Sequence, residues 1–120
     1  MLNSGLTRKF LRSKIHRATV TRSDLNYEGS ILIDSDLMRR AALAPFESVH
    51  IWNVNNGARL ETYAIPGAAG SGEICLNGAA ARLAQVGDKV IVASFCWLDE
   101  EQIAKHAPAV VFVDDANRPA

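Results

Sequence analysis

The chain has 120 residues, 48% of them hydrophobic, and its 13 basic and 13 acidic residues cancel. That balance implies one domain with a core of its own, and it excludes both disorder and a global attraction to nucleic acid or membrane. The longest apolar run, Val90 to Phe95 with polar Ser94 inside it, is far shorter than the roughly 20 residues that cross a bilayer.

Taken in chain order, short strands dominate. Arg8, Lys9, Arg12, Lys14 and Arg17 come first, with no apolar stretch behind them of the kind a secretory signal needs. Ser13 to Thr21 is β-branched and interleaved, which predicts a strand. Arg22 to Glu28 is turn-rich, and Ser30 to Ile33 resumes an apolar strand. Asp34 or Ser35 caps a short helix through Ala42, with Leu37, Met38 and Ala41 on one face, and Pro45 ends it. Val49 to Val54 and Arg59 to Ile65 flank Asn55-Asn56-Gly57, a hairpin signal because Asn and Gly tolerate positive φ.

Pro66 to Gly72 (PGAAGSG) reads as a flexible loop, Glu73 to Leu76 as a strand, and Asn77 to Leu83 as a short helical turn. Gly87-Asp88 turns the chain into Lys89 to Trp97, its most β-like stretch. A last short helix opens at Asp99-Glu100-Glu101 and stops before Pro108. Ala109 to Val113 is a final strand, and Asp114 to Ala120 a polar tail. Six or seven strands with short helices predict a closed or nearly closed barrel, since closure removes exposed edges.

The residue types narrow the chemistry. His16, His50 and His106 lack the spacing of a metal site, and PGAAGSG lacks the Lys-Ser/Thr ending of a phosphate loop. The N-terminal cations are broken by Phe10, Leu11 and Ile15 and read as the solvent face of an edge strand, with nucleic-acid phosphates a minor alternative. Cys75 and Cys96 lie outside any CxxC motif and read as buried thiols of a reduced, cytoplasmic protein, with a disulfide between them the less favoured alternative. Gly29-Ser30 alone is a turn between strands. It is also compatible with a serine hydroxyl attacking the preceding carbonyl, because glycine has no Cβ and accepts strained dihedrals.

Read as one block, Lys14-Ile15-His16-Arg17 through Asp24-Leu25-Asn26-Tyr27-Glu28-Gly29-Ser30 closely resembles the bacterial aspartate 1-decarboxylases. The likeness continues through Ile51 to Arg59, Thr62-Tyr63-Ala64-Ile65, Leu76-Asn77-Gly78-Ala79-Ala80-Ala81, Val86-Gly87-Asp88 and Val110 to Asp114. Together these cover most of residues 12–117 in order.

The resemblance implies a mainly β, six- to seven-stranded double-psi β-barrel with short helices, assembled as a cytoplasmic homotetramer with active sites between subunits. It implies that residues 1–120 form a single domain, a precursor cut between Gly29 and Ser30 into chains 1–29 and 30–120. Ser30 would become a covalent pyruvoyl group, with no metal, and would form a Schiff base with L-aspartate on the way to β-alanine, CO2 and coenzyme A precursors. Thr62 would assist cleavage and sit beside the substrate, and Tyr63 would donate a proton. Gly78, Ala79 and Ala80 would cradle the substrate through their backbone, with Asn77 nearby.

Lys14, His16 and Arg59 would meet the two substrate carboxylates, Arg59 as a bidentate partner and Lys14 as a point charge. An accessory maturation protein is a further possible partner. Two departures stand out: Met1 to Thr7 extends beyond the usual start and is expected to be loose, and Arg82 stands where many relatives carry histidine. The competing reading is a non-catalytic double-psi barrel that binds a small anion or a protein partner.

Overall fold

The computed structural model describes residues 5–120. The loose start expected for Met1 to Thr7 therefore lies outside the described residues over 1–4. Eight strands and three short helical segments follow in the order β1 (Arg8–Thr19), β2 (Arg22–Asp24), β3 (Ser30–Asp34), α1 (Ser35–Arg40), β4 (Ser48–Asn53), β5 (Arg59–Gly67), β6 (Ile74–Asn77), a 3-10 helix (Gly78–Leu83), β7 (Lys89–Leu98), α2 (Glu100–Ile103) and β8 (Ala109–Phe112).

The strands form one sheet in the order β2-β6-β3-β5-β4-β7-β1-β8. Its two ends meet because β1 runs almost without a break into β2. Val20 N donates to Asp88 O just before β7, and Thr21 N donates to Ile74 O in β6. Counted as one bent strand, β1 and β2 close a ring of six with β7, β4, β5, β3 and β6, and β8 adds a seventh alongside β1. The mainly β barrel expected from the sequence is borne out. The one strand not foreseen is β2, whose Arg22-Ser23-Asp24 has no apolar alternation to announce it.

Alternation puts the core inside. In β4, Val49, Ile51 and Asn53 are buried while Ser48 is exposed and His50 and Trp52 are half-buried, the period of two that a half-covered strand requires. Ile15, Val20, Ile31, Ile33, Leu37, Ile51, Ile74, Leu76, Val90 and Val92 are almost completely buried in the same cluster. Each such side chain contributes about 1.5–3 kcal/mol. The hairpin forms where Asn-Asn-Gly predicts it: Gly57 takes φ +77°, and Asn53 Oδ1 accepts from the backbone of Asn55 and Asn56.

The loop read as flexible and the polar tail are both anchored. Buried Asp34 caps α1 through Asp36 N and also accepts from Gly70 N and Gly72 N, so PGAAGSG is pinned rather than a free connection. Burial alone would raise the Asp34 pKa, but these three N–H donors and the Arg118 charge outweigh it and hold the group below the ordinary carboxylate value. The polar tail folds back as well. Val113 bridges Pro119, and buried Asn117 accepts from Thr19 N while donating to Thr19 O and Gly72 O. Cys75 and Cys96 are free thiols, Cys75 buried and Cys96 only half-buried.

Candidate active site

Ser30 opens β3 in an unusual state. It is completely buried, and its φ of +151° lies in a region that side-chain-bearing residues rarely enter. Such a backbone costs about 1–3 kcal/mol, and the surrounding structure must hold it there. Antiparallel pairing with β6 sets Ser30 opposite Asn77. Asn77 is also buried, and its Nδ2 donates to Ser30 Oγ at 3.2 Å. The strain therefore falls next to the Gly29–Ser30 bond, with a polar partner already at the hydroxyl.

Gly78 explains how the chain approaches so closely. It follows β6 at φ +62°, and a Cβ there would lie 2.8 Å from Gly29 Cα, 2.9 Å from Gly29 N and 3.0 Å from Tyr27 O. Only glycine lets the 27–29 segment pass over the start of the 3-10 helix.

In front of these residues lies a cavity of about 210 Å³ lined by Gly29, Thr62, Asn77, Ala79 and Ala80, with Leu60, Glu61 and Leu83 completing it. At roughly 30 Å³ per water, it has room for a molecule the size of a small amino acid. Five of the residues singled out in the sequence thus converge, and Ser30 and Gly78 adjoin them. Leu60, Glu61 and Leu83 carried no signal in the sequence. Exposed Arg82 does not line the cavity, although its neighbour Leu83 does.

The expected cations and proton donor do not line this cavity in a single chain. Tyr63 follows Thr62 in β5, and successive strand residues face opposite ways. Tyr63 is exposed, with its ring 6.2 Å from Phe46. The Arg59 guanidinium stacks 4.6 Å over Trp52 and lines a separate surface concavity of about 550 Å³ with Lys9, His50 and Phe95. Lys14 and His16 sit on β1 between β7 and β8, opposite Ala93 and Phe112 respectively.

The His16 ring packs edge-on to Phe112, and its Nδ1 is buried without a partner. Burial, then the charges of Lys14 and Arg17, lower its pKa below the ordinary imidazole value. All four residues are exposed or half-buried and none lines the cavity in front of Gly29, although Tyr63 precedes Ala64, the β5 partner of Ile31, and so lies level with Ser30 on the neighbouring strand. Among the described residues, no group of three or more His, Cys, Asp or Glu side chains converges on a metal-sized site, and no helix is long and apolar enough to cross a membrane.

Comparison with known proteins adds a second line of argument. The family model described as aspartate decarboxylase matches residues 6–120. Curated relatives named aspartate 1-decarboxylase include one from Clostridium acetobutylicum, 62% identical over 89% of this chain and 84% of its own length. Another, from Syntrophotalea carbinolica, is 58% identical over 95% of this chain and 87% of its own. A third, from Thermoanaerobacter pseudethanolicus, is 54% identical over 95% and 97%. Among solved structures, the computationally designed msDPBB_sym2 protein aligns over 71% of this chain and 96% of its own at TM-score 0.43 and 17% identity, too remote to add to the argument.

Proposed function

This chain belongs to the aspartate decarboxylase family; it is an enzyme that decarboxylates L-aspartate to β-alanine for pantothenate synthesis, and we propose that it does so on a pyruvoyl group made from its own Ser30. The observation that carries this reading is the state of Ser30: buried, strained at φ +151°, and bonded through Oγ to Asn77.

Maturation needs no external reagent but water. Ser30 Oγ attacks the Gly29 carbonyl carbon, the Gly29–Ser30 amide breaks, and the acyl group passes to oxygen as an ester. Loss of the Ser30 Cα proton then breaks Cβ–Oγ and leaves Gly29 as a carboxylate. Hydrolysis of the resulting dehydroalanine releases ammonia and leaves the ketone at the new N-terminus. Release of the backbone strain at Ser30 favours the first step. Thr62 lines the cavity in front of Gly29, and its role is to hand protons through its hydroxyl during cleavage.

The fit to such a group is good: the serine is closed off from water, Gly78 keeps the approach narrow, and the cavity beside Gly29 takes a small amino acid. Once formed, the pyruvoyl group supplies an electron sink for the pair released with CO2. The chain's own residues do the rest. Ala79 and Ala80 bring backbone to the cavity wall, and Asn77 keeps an amide beside position 30.

Arg59, Lys14 and His16 are the groups for the two carboxylates, and Tyr63 is the proton donor at Cα. Because these four lie outside the cavity of their own chain, the working unit is an oligomer, a homotetramer, in which one copy completes another's site. The fold is the double-psi barrel of the family, the location cytoplasmic, and an accessory protein can assist maturation.

The test is conversion of L-aspartate to β-alanine, followed by chromatography, for the wild type and for Ser30→Ala. Conversion by the wild type alone supports the reading. Equal conversion by both overturns the role of Ser30.

A further inference from the structure

Asn77 is held from both sides. Its Nδ2 donates to Ser30 Oγ at 3.2 Å, and its Oδ1 accepts from the Cys75 thiol at 3.1 Å. Cys75 Sγ in turn accepts from Arg22 Nε at 3.3 Å. The line Arg22–Cys75–Asn77–Ser30 runs from the exposed arginine of β2, through two side chains of β6, to the first residue of β3. Cys75, Asn77 and Ser30 are each at most 1% exposed, so the two bonds among them are shielded from bulk water.

A carboxamide has two ends of nearly equal size and opposite polarity. Flipped, Asn77 would present Oδ1 to Ser30 Oγ as an acceptor instead of Nδ2 as a donor. Which end faces the serine depends on what holds the other. Arg22 already supplies the sulfur with a donor, the thiol's single hydrogen points to Asn77, and of the two ends of the carboxamide only Oδ1 can accept it.

We propose that Cys75 is a positioning residue for maturation: its thiol fixes the Asn77 carboxamide so that Nδ2, and not Oδ1, faces Ser30 Oγ. The inference rests on the reading that the Gly29–Ser30 bond is the one broken. Its chemical consequence falls on elimination. When Cβ–Oγ breaks, the electron pair stays on Oγ, which leaves as part of the Gly29 carboxylate. An N–H aimed at that oxygen stabilises the developing charge, whereas a carbonyl oxygen there opposes it.

The experiment follows the first-order cleavage of freshly purified precursor by intact mass for the wild type, Cys75→Val, Cys75→Ser and Asn77→Ala, and for Cys75→Val combined with Asn77→Ala. Cys75→Val keeps the bulk but loses the donor and should cleave about 3- to 10-fold more slowly, the range one net hydrogen bond supports. Cys75→Ser restores a donor and should recover most of the rate. In the Asn77→Ala background, Cys75→Val should change nothing further, because the group it positions is gone.

A merely structural Cys75 would instead slow both backgrounds alike and would not be rescued by serine. Wild-type cleavage matched by Cys75→Val overturns the proposal and leaves the maturation reading intact. If the wild type itself never cleaves, that reading fails, and the orientation is read directly from the Asn77 side-chain amide resonances of the unbroken chain. They should shift between wild type and Cys75→Val and stay in place for Cys75→Ser; unshifted resonances in Cys75→Val overturn the positioning role.

Discussion

A Cβ placed on Gly78 would sit 2.8 Å from Gly29 Cα, closer than real Cβ atoms come to a neighbour. The contact is with backbone on both sides, so neither partner can rotate away. Gly78→Ala should therefore displace the 27–29 segment from the start of β3. It should cost about 1–3 kcal/mol, from the αL conformation and the clash together. Denaturant unfolding measures the loss, and intact mass should show slower cleavage at Gly29–Ser30 in the folded fraction.

Thr62 and Tyr63 separate two roles that the sequence joins. Thr62 lines the cavity beside Gly29, while Tyr63 faces outward next to Phe46. Thr62→Ala should slow maturation, and Tyr63→Phe should mature normally yet lose about 10²- to 10⁴-fold in kcat, the worth of a placed general acid. Cleavage and turnover measured on the same preparations check both.

Arg59 is expected to act on substrate rather than on the precursor, since it stacks on Trp52 away from Ser30. Arg59→Lys keeps the charge and loses the fork, so KM for L-aspartate should rise about 10-fold, equivalent to roughly 1.4 kcal/mol, with cleavage unchanged.

Asp34 ties α1, the 66–72 stretch and, through it, the C-terminal tail. Its pKa is depressed in the folded chain relative to an ordinary value of 3.8. The stability it contributes is thus complete above that value and is lost as pH falls through the folded value. Asp34→Asn should cost about 1–3 kcal/mol near neutral pH and should flatten the acid limb of a stability–pH curve.

His16 works in a higher window. Its pKa is also lowered, from an ordinary 6.5, so folding favours the neutral ring. Stability associated with it is present above that value and declines as pH falls through the folded value. Thermal unfolding of His16→Gln should lose this slope while the Asp34-dependent limb stays.

The strands were legible because their side chains alternate, as in Val49, Ile51 and Asn53, and the hairpin because Asn55-Asn56-Gly57 suits positive φ. What escaped was the short strand that makes the closure. Arg22 to Asp24 pairs with Cys75 to Asn77, 53 residues away, through backbone bonds that no local pattern encodes. Asn117 likewise looks like tail composition until its carboxamide is seen buried and bonded to Thr19 and Gly72.

In the site, the likeness to known decarboxylases named Ser30, Thr62 and Asn77. The identities alone could not say that the side chains of Lys14, His16, Arg59 and Tyr63 stay out of the cavity that Thr62 and Asn77 line, because that follows from strand facing and sheet order. Nor could they show Gly78 as a passage for backbone.

The central claim is that this chain breaks itself at Ser30, and intact mass spectrometry of the protein, fresh and then warmed, tests it most directly. The account predicts two products, residues 1–29 and 30–120, the larger lighter by one ammonia than a chain beginning with serine. A single unbroken mass that persists on warming and on incubation with cell lysate would contradict it.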